Sequence, residues 1–477
     1  MNLLFVSSEV APFSQTGGLG DVCGAWPIAL AQRGHRVVVV SPAYGRANDH
    51  LAWDTGVTAR FWLFGEQHDV RYRVYRPQDN LAFVLIDSLC FRRSGIYGDS
   101  SGVYGDNLMR FALLCRAALE VPRRVEALAD GRLGDEFVLH AHDWHAGLAP
   151  LYLRAHYHPV GLYTRCRSVL TIHNAAHQGR YAASEFGGLD LAPRHMETTL
   201  WGDTLAALKT GLVSADHVTA VSPSFARDLR TSEGGFGLDA ILRRVPLTGI
   251  LNGIDTSLWD PSSDKHVPQG YSLHDMAGKA ACKAALQREL GLPVRPEVPL
   301  FAFVSRLDGQ KGVDSVLRLA PWILEQDLQF VALGSGASTL QNGLKGMEAR
   351  APHRARAIIG FDVPLSHRIY AGADFLLVPS LFEPCGLTQL YAMRYGAIPI
   401  VRATGGLRDS VRPWGPVSHD GTGWLYDEPD QLGQAMFWAF RTWWDHPNSI
   451  HQLRVNGMSQ DWSWGPAAAR YEAVYQG

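Results

Sequence analysis

The chain lacks a Cys-x-x-Cys pair, a large net charge and any apolar run long enough to span a bilayer. Each gap excludes a class of protein. Cys23, Cys90, Cys115, Cys166, Cys282 and Cys385 are scattered singly. That suits reduced, mostly buried thiols in a cytoplasmic protein, not a disulfide framework or a zinc site. A net charge of -2 leaves no electrostatic footprint for nucleic acid or an acidic membrane, so neither partner is expected. The opening Met1–Ser7 has no basic segment and no small-residue cleavage site, and reads as a first buried strand rather than a signal peptide.

What is present points to a globular α/β protein. At 477 residues, with 46% hydrophobic and 19% charged residues, the chain exceeds one core and suggests two or three domains. Short β-branched runs alternate with helical patterns: Leu3–Val6, Val37–Val40, Phe83–Ile86, Phe137–Leu139, Val169–Ile172 and Val218–Val221 in the first half. After the first of them, Val22, Ala25, Trp26, Ala29 and Leu30 recur at the spacing of one buried helix face, and Gly34 is a stop signal. The second half repeats the scheme with Leu300–Val304, Phe330–Leu333, Ile358–Ile359, Phe375–Val378 and Ile398–Val401. Strands separated by helices predict doubly wound parallel sheets. The expected domains are 1–250 and 251–460, joined near the turn-rich Leu251–Pro261, with 461–477 forming a closing helix that packs back across the junction. Two such sheets facing each other would leave a cleft lined by the C-terminal ends of their strands.

The chemistry-bearing motifs fall at those strand ends. Phe382–Met393 follows the run Phe375–Pro379 and opens an apolar helical pattern, so Glu383 lies beside free N–H groups around Cys385, Gly386, Leu387 and Thr388. That is an ordinary strand-to-helix turn, or a place for a diphosphate with Glu383 on sugar hydroxyls. Ser14–Asp21, with Gln15, Thr16, Gly17 and Gly18, permits close backbone approach to a phosphate or sugar. It does not fit the dinucleotide fingerprint, because Cys23 replaces the third glycine and the second strand ends in Ser41-Pro42 without an acidic ribose ligand. His140–His145 admits a metal site, a structural histidine cluster, or a hydrogen-bonding loop in which Asp143 and His145 meet sugar hydroxyls. No Asp-x-Asp triplet and no nearby carboxylate–histidine pair supports the metal alternative. His173 and Asn174 end another strand. Arg306 and Lys311 are either surface cations or a pair converging on one anion, the planar fork and compact charge suited to a leaving diphosphate. Thr404-Gly405-Gly406 adds a further glycine-rich strand end.

Together these motifs resemble bacterial glycogen synthase and plant starch synthase, retaining glucosyltransferases of the two-Rossmann-domain (GT-B) type. The likeness runs in order through Thr16–Gly18, His140–Gly147, Thr171–Asn174, Leu251–Asp255, Ser305–Gly312, Glu383–Met393 and Thr404–Leu407. Tyr391 stands where relatives of broader sugar specificity carry a second Glu, which favours the glucan-synthase branch. The resemblance implies transfer of glucose from ADP-glucose to the non-reducing end of an α-1,4-glucan such as glycogen, with retention and without a metal or other cofactor. It implies that the first domain is the acceptor side and the second binds the nucleotide-sugar. By the same carry-over, Thr16-Gly17-Gly18 approaches the donor phosphates, and Arg306 and Lys311 neutralise them together with N–H groups of Gly386–Thr388. Glu383 fixes donor glucose, with Cys385, Gly405 and Gly406 nearby; His173 supports the anomeric centre; Asp143, His145, Asn174 and Tyr97 orient glucose or acceptor.

Two positions depart from the family pattern. Gln15 replaces the usual Lys, removing one charge from the phosphate loop, and Phe361 replaces a Tyr that stacks on the base or ribose. The alternatives are a UDP-glucose-using α-glucan synthase, a catalytically weak glucan- or nucleotide-binding protein, and a metal-dependent hydrolase built on His140, His142 and His145.

Overall fold

A computed structural model describes residues 1–415 and 419–477 and divides into two compact units: Met1–Gly253 with Trp464–Gly477, and Ile254–Ser463. Among the described residues no helix is long and apolar enough to cross a membrane.

The first unit is built on a nine-stranded sheet. Its order is Leu247–Gly249, His217–Ala220, Arg167–Ile172, Val138–His142, Asn2–Val6, Arg36–Pro42, Leu81–Asp87, Glu66–Gln78, Trp53–Leu63. The first seven strands pair in parallel. Their apolar runs are buried on both faces, which is why they read as continuous β-branched stretches. The parallel sheet is extended at one edge by two strands that pair antiparallel, which the sequence did not announce. They form a hairpin closed by Phe64 and Gly65, both with positive φ, the backbone of a two-residue turn that follows strand twist. Short strands at the edges of the two main sheets, Leu247–Gly249 and Trp424–Tyr426, also lie outside the sequence expectation, as do those of two minor sheets, Arg180–Ala182 with Thr204–Ala206 and Leu200–Trp201, and Gly98–Asp99 with Gly102–Val103.

The helix Gly18–Gln32 ends just before Gly34, whose φ is +87°. It turns Val22, Trp26 and Leu30 toward the sheet, and Trp26 stacks on Trp464 with ring centres 5.5 Å apart and planes 10° from parallel. The closing helix Trp464–Gln476 thus belongs to the core of the first unit, where Tyr471 and Tyr475 join the same cluster.

The second unit carries a six-stranded, all-parallel sheet. Its order is Ala355–Ile359, Gln329–Gly334, Leu300–Val304, Phe375–Val378, Ile398–Arg402, Trp424–Tyr426. Apolar clusters cover both faces: Ile369, Tyr370 and Leu390 on one, Ile323, Leu344 and Met436 on the other.

Strand order reverses between Asn2–Val6 and Val138–His142 in the first sheet, and between Leu300–Val304 and Phe375–Val378 in the second. Loops leaving the C-terminal ends at such a reversal run to opposite faces and open a crevice where ligands bind. The sequence places residues 7–17 and 143–147 after the first pair of strands, and 305–312 and 379–387 after the second.

Trp26→Ala removes the ring that Phe5, Trp464 and Tyr471 pack against. It is expected to destabilise the first unit by about 3–5 kcal/mol, read from chemical denaturation, as for other large-to-small core changes.

Candidate active site

In the first unit the hub is a residue that no motif announced. Glu9 lies three residues past the first strand and is 3% exposed. Its carboxylate accepts bonds from the Thr16 amide, from the Thr16 hydroxyl at 2.8 Å, from the Gly17 amide at 3.3 Å, and from the Tyr97 hydroxyl. Burial and the neighbouring Glu9 charge hold the Tyr97 phenol well above its usual range, so it stays protonated and donates. The glycine loop is therefore gathered around an internal carboxylate, and Gly18 opens the helix behind it. Gln15 is exposed and its side chain bonds Asp21. Burial raises the Asp21 carboxyl to about 6 against that bond.

The strand Val138–His142 delivers Asp143 in a strained conformation, φ 55° and ψ -169°, a region populated almost only by glycine. The strain sets the buried carboxylate against the end of the neighbouring strand. There it accepts the amides of His173 at 2.6 Å and Asn174 at 3.3 Å. Burial raises this carboxyl to about 7 despite the two amides, with Glu9 adding to the rise. His173 Nε2 is 2.9 Å from His142 Nδ1, and burial lowers His173 to about 3 and His142 well below its usual value. Both rings are neutral at physiological pH, so exactly one of the facing nitrogens carries a hydrogen. His145 is buried and stacks on Tyr97 with centres 4.8 Å apart. The Asn174 side-chain oxygen accepts the Ala176 amide at 3.0 Å, shaping its own turn.

His140 is no metal ligand in this arrangement. One ring nitrogen pairs with Tyr475 at 2.8 Å and the other with Thr171 at 2.6 Å. Among the described residues no group of three or more His, Cys, Asp or Glu side chains is arranged to hold a metal ion.

In the second unit Glu383 is 8% exposed, and one carboxylate oxygen receives Lys311 Nζ at 2.6 Å and Ser380 Oγ at 2.9 Å. Arg306 is more than half exposed and pairs with Asp308 at 3.0 Å, so the two cations rest on different carboxylates and do not converge on one point. Gly386, at φ 73°, turns the chain after Cys385 in a conformation that side chains resist, and Thr388 begins the helix that ends at Arg394. Thr404 precedes the helix Gly405–Ser410, and the Gly406 amide donates to the Glu383 carbonyl at 3.0 Å. Added Cβ atoms would stand 2.1 Å from the Glu383 carbonyl oxygen at Gly405 and 2.2 Å from the Cys385 carbonyl oxygen at Gly406. The two glycines are thus demanded by contact between loops. Phe361 is not brought to this group: it is 79% exposed after the outermost strand of the sheet.

The match to known proteins covers both units. The model of the starch synthase catalytic domain family matches residues 2–244, and that of glycosyl transferases group 1 matches residues 291–457. Starch synthase 1 of Arabidopsis thaliana is 44% identical over 503 residues, covering 100% of this chain and 77% of the relative. The chain belongs to the starch synthase family. Soluble starch synthase 1 of Solanum tuberosum is likewise 44% identical, covering 99% of this chain and 78% of its own length. The catalytic domain of starch synthase IV from Arabidopsis thaliana, solved bound to ADP and acarbose, superposes with a TM-score of 0.89 at 32% identity, covering 99% of this chain and 98% of that one. Sucrose-phosphate synthase from Thermosynechococcus elongatus, with a TM-score of 0.58 and 16% identity over 100% of this chain and 95% of its own, shares the fold. As a starch synthase family member this protein is a GT-B glycosyltransferase that extends an α-glucan.

Asp143→Gly loses charge-assisted bonds of about 1.5–3 kcal/mol each and relieves about 1–3 kcal/mol of backbone strain. The two lost bonds outweigh the relieved strain, so its melting temperature should fall, and activity should fall about a hundredfold or more. The Asp143 carboxyl is raised in the folded state, so its contribution to stability is full below about 4 and is lost as pH rises to about 7. Activity that needs the ionised form should show an acid limb near pH 7, absent in the residual activity of Asp143→Asn. In the second unit, Lys311→Met strands a buried carboxylate and should cost about 3–5 kcal/mol in urea denaturation. The double variant Lys311→Met/Glu383→Gln should recover most of that stability and none of the activity.

Proposed function

We propose that the protein is a glycogen (starch) synthase that moves glucose from ADP-glucose to the non-reducing end of an α-1,4-glucan, with retention of configuration. The single observation that carries this is the 44% identity to starch synthase 1 along the entire chain. A starch synthase of the same fold that holds ADP and acarbose supports both the adenine nucleotide and the α-glucan.

On this reading residues 1–250 serve the acceptor side and residues 251–460 hold the nucleotide-sugar, with the closing segment 461–477 completing the first of them. Lys311 and Arg306 neutralise the departing diphosphate with backbone N–H groups of Gly386, Leu387 and Thr388, and Thr16, Gly17 and Gly18 approach it from the first unit's loop. Positive groups fixed before the reaction stabilise the charge that develops on the leaving phosphate. Glu383 orients donor glucose from its turn with Cys385, beside Thr404, Gly405 and Gly406. Lys311 and Ser380 keep that carboxylate in place. Neutral His173 supports the anomeric centre, positioned by Asp143 through its amide, while His145, Asn174 and Tyr97 receive glucose or acceptor hydroxyls. Phe361, exposed on its own loop, supplies a ring for the nucleoside. The compartment proposed is the reducing cytoplasm, in keeping with six cysteines that form no disulfide; the plant relatives are named for chloroplasts and amyloplasts.

The test compares initial rates of nucleoside diphosphate release from ADP-glucose and UDP-glucose with glycogen present. ADP-glucose is expected to be preferred by at least about tenfold in kcat/KM, roughly 1.4 kcal/mol. Preference for UDP-glucose would reassign the donor, and tight glycogen binding without turnover of either would make the protein a binding module. Gln15→Lys restores a cation to the loop beside Asp21, and should tighten ADP-glucose about tenfold while lowering the Asp21 pKa below about 6.

A further inference from the structure

Arg110 is the largest charged side chain buried in this protein, and the mechanism above gives it no task. It lies on the helix Asn107–Arg124 and is 0% exposed. No carboxylate pairs with it among the described residues. Its guanidinium donates to the Cys90 carbonyl at 3.0 Å, the Ile96 carbonyl at 2.9 Å and the Asn107 side-chain oxygen at 2.6 Å. Its last nitrogen, Nη2, has no hydrogen-bond partner, and the rings of Tyr104, Phe111 and Phe91 lie 5.3, 5.5 and 5.6 Å from its central carbon. Burying a cation without an anion is costly, and an apolar residue of similar volume would often be neutral or better for stability alone.

All three bonded groups belong to one segment or fasten it. Cys90 and Ile96 bracket the loop that leads into Tyr97, and the Asn107 side-chain nitrogen donates to the Tyr97 carbonyl at 2.8 Å. Tyr97 in turn reaches Glu9 and stands 2.9 Å from Ser8 Oγ, and Glu9 holds the Thr16 and Gly17 amides. A planar fork holds its donors in fixed relative directions against two carbonyls and an amide oxygen, whereas a lysine's three donors turn on a flexible stem.

We propose that Arg110 is a positioning residue for glucosyl transfer: through Asn107 and the 90–97 loop it fixes Tyr97 against Glu9, and so holds the Thr16–Gly17 loop in its working shape. This rests on the assignment of that loop to the donor phosphates. Arg110 touches no substrate. The guanidinium reads the loop's backbone and transmits its position through Asn107, Tyr97 and Glu9 to the glycine loop.

The test combines kinetics with hydrogen exchange in the full chain. Arg110→Gln and, as the variant most apt to fold, Arg110→Lys are compared with Tyr97→Phe and with the double variants. Amide exchange in the peptide spanning 9–18 is expected to rise in each Arg110 variant, while the strand Arg167–Ile172 stays protected. In kcat/KM for ADP-glucose, Arg110→Gln should lose about a hundredfold, the scale of a misplaced catalytic contact, and Arg110→Lys less. In the Tyr97→Phe background the further loss should be under about twofold, the non-additivity of groups acting in one chain. Unchanged exchange in 9–18, equal loosening of Arg167–Ile172, or full additivity with Tyr97→Phe would overturn the proposal. Absence of transfer by the wild-type protein would overturn the functional assignment instead, and the exchange readout would still decide whether Arg110 holds the loop.

Discussion

A parallel sheet ends in loops whose amides have lost their ladder partners, and every strand end described here depends on how those donors are satisfied. In this protein the answer is an inward-facing carboxylate. Glu9 gathers the amides of Thr16 and Gly17, and Asp143 gathers those of His173 and Asn174. In the second unit the corresponding carboxylate, Glu383, takes a lysine and a serine, while its backbone carbonyl takes the amide of Gly406. These acids are buried where desolvation penalises charge, so each is retained against a cost that only its ring of donors offsets.

The same arrangement makes each loop pre-organised. The strained backbone of Asp143, the left-handed turn at Gly386 and the tight approach of Gly406 to Cys385 are all places where an alternative conformation would be easier for an isolated peptide. They persist because neighbouring strand ends fix them. Fixed dipoles and charges of this kind suit a reaction whose central difficulty is a departing diphosphate, since no reorganisation is needed as charge develops.

Much of this was legible in the residues. The strands of both parallel sheets announced themselves because burial on two faces writes a continuous apolar run, as in Leu300–Val304 and Phe375–Val378. The hairpin of Trp53–Leu63 and Glu66–Gln78 did not, because one face meets water and Arg60, Asp69 and Arg71 interrupt the apolar signal. Its alternation at Val70, Tyr72 and Val74, with Phe64-Gly65 before it, was the available clue. Motifs singled out Glu383, Lys311, Asp143 and His173 as candidates because several chemical residue types cluster within a few positions. Glu9 escaped because a lone acid after a strand has no spacing to recognise, and its partners Thr16 and Tyr97 lie 7 and 88 residues away. His142 was visible only as a metal candidate, since its partner His173 is brought near by strand pairing 31 residues on. Arg306 pairs instead with Asp308, two residues on and partly exposed, a contact that no motif marked.

The place of Trp464, Tyr471 and Tyr475 in the first unit's core has a consequence for biosynthesis. That unit is discontinuous in the chain, whereas Ile254–Ser463 is continuous. A ribosome releasing residues in order therefore supplies everything the second unit needs before it supplies the aromatic wedge that seals the first. Until that helix emerges, Trp26 lacks the ring it stacks on and His140 lacks its Tyr475 partner, an exposed interval for a nascent polypeptide.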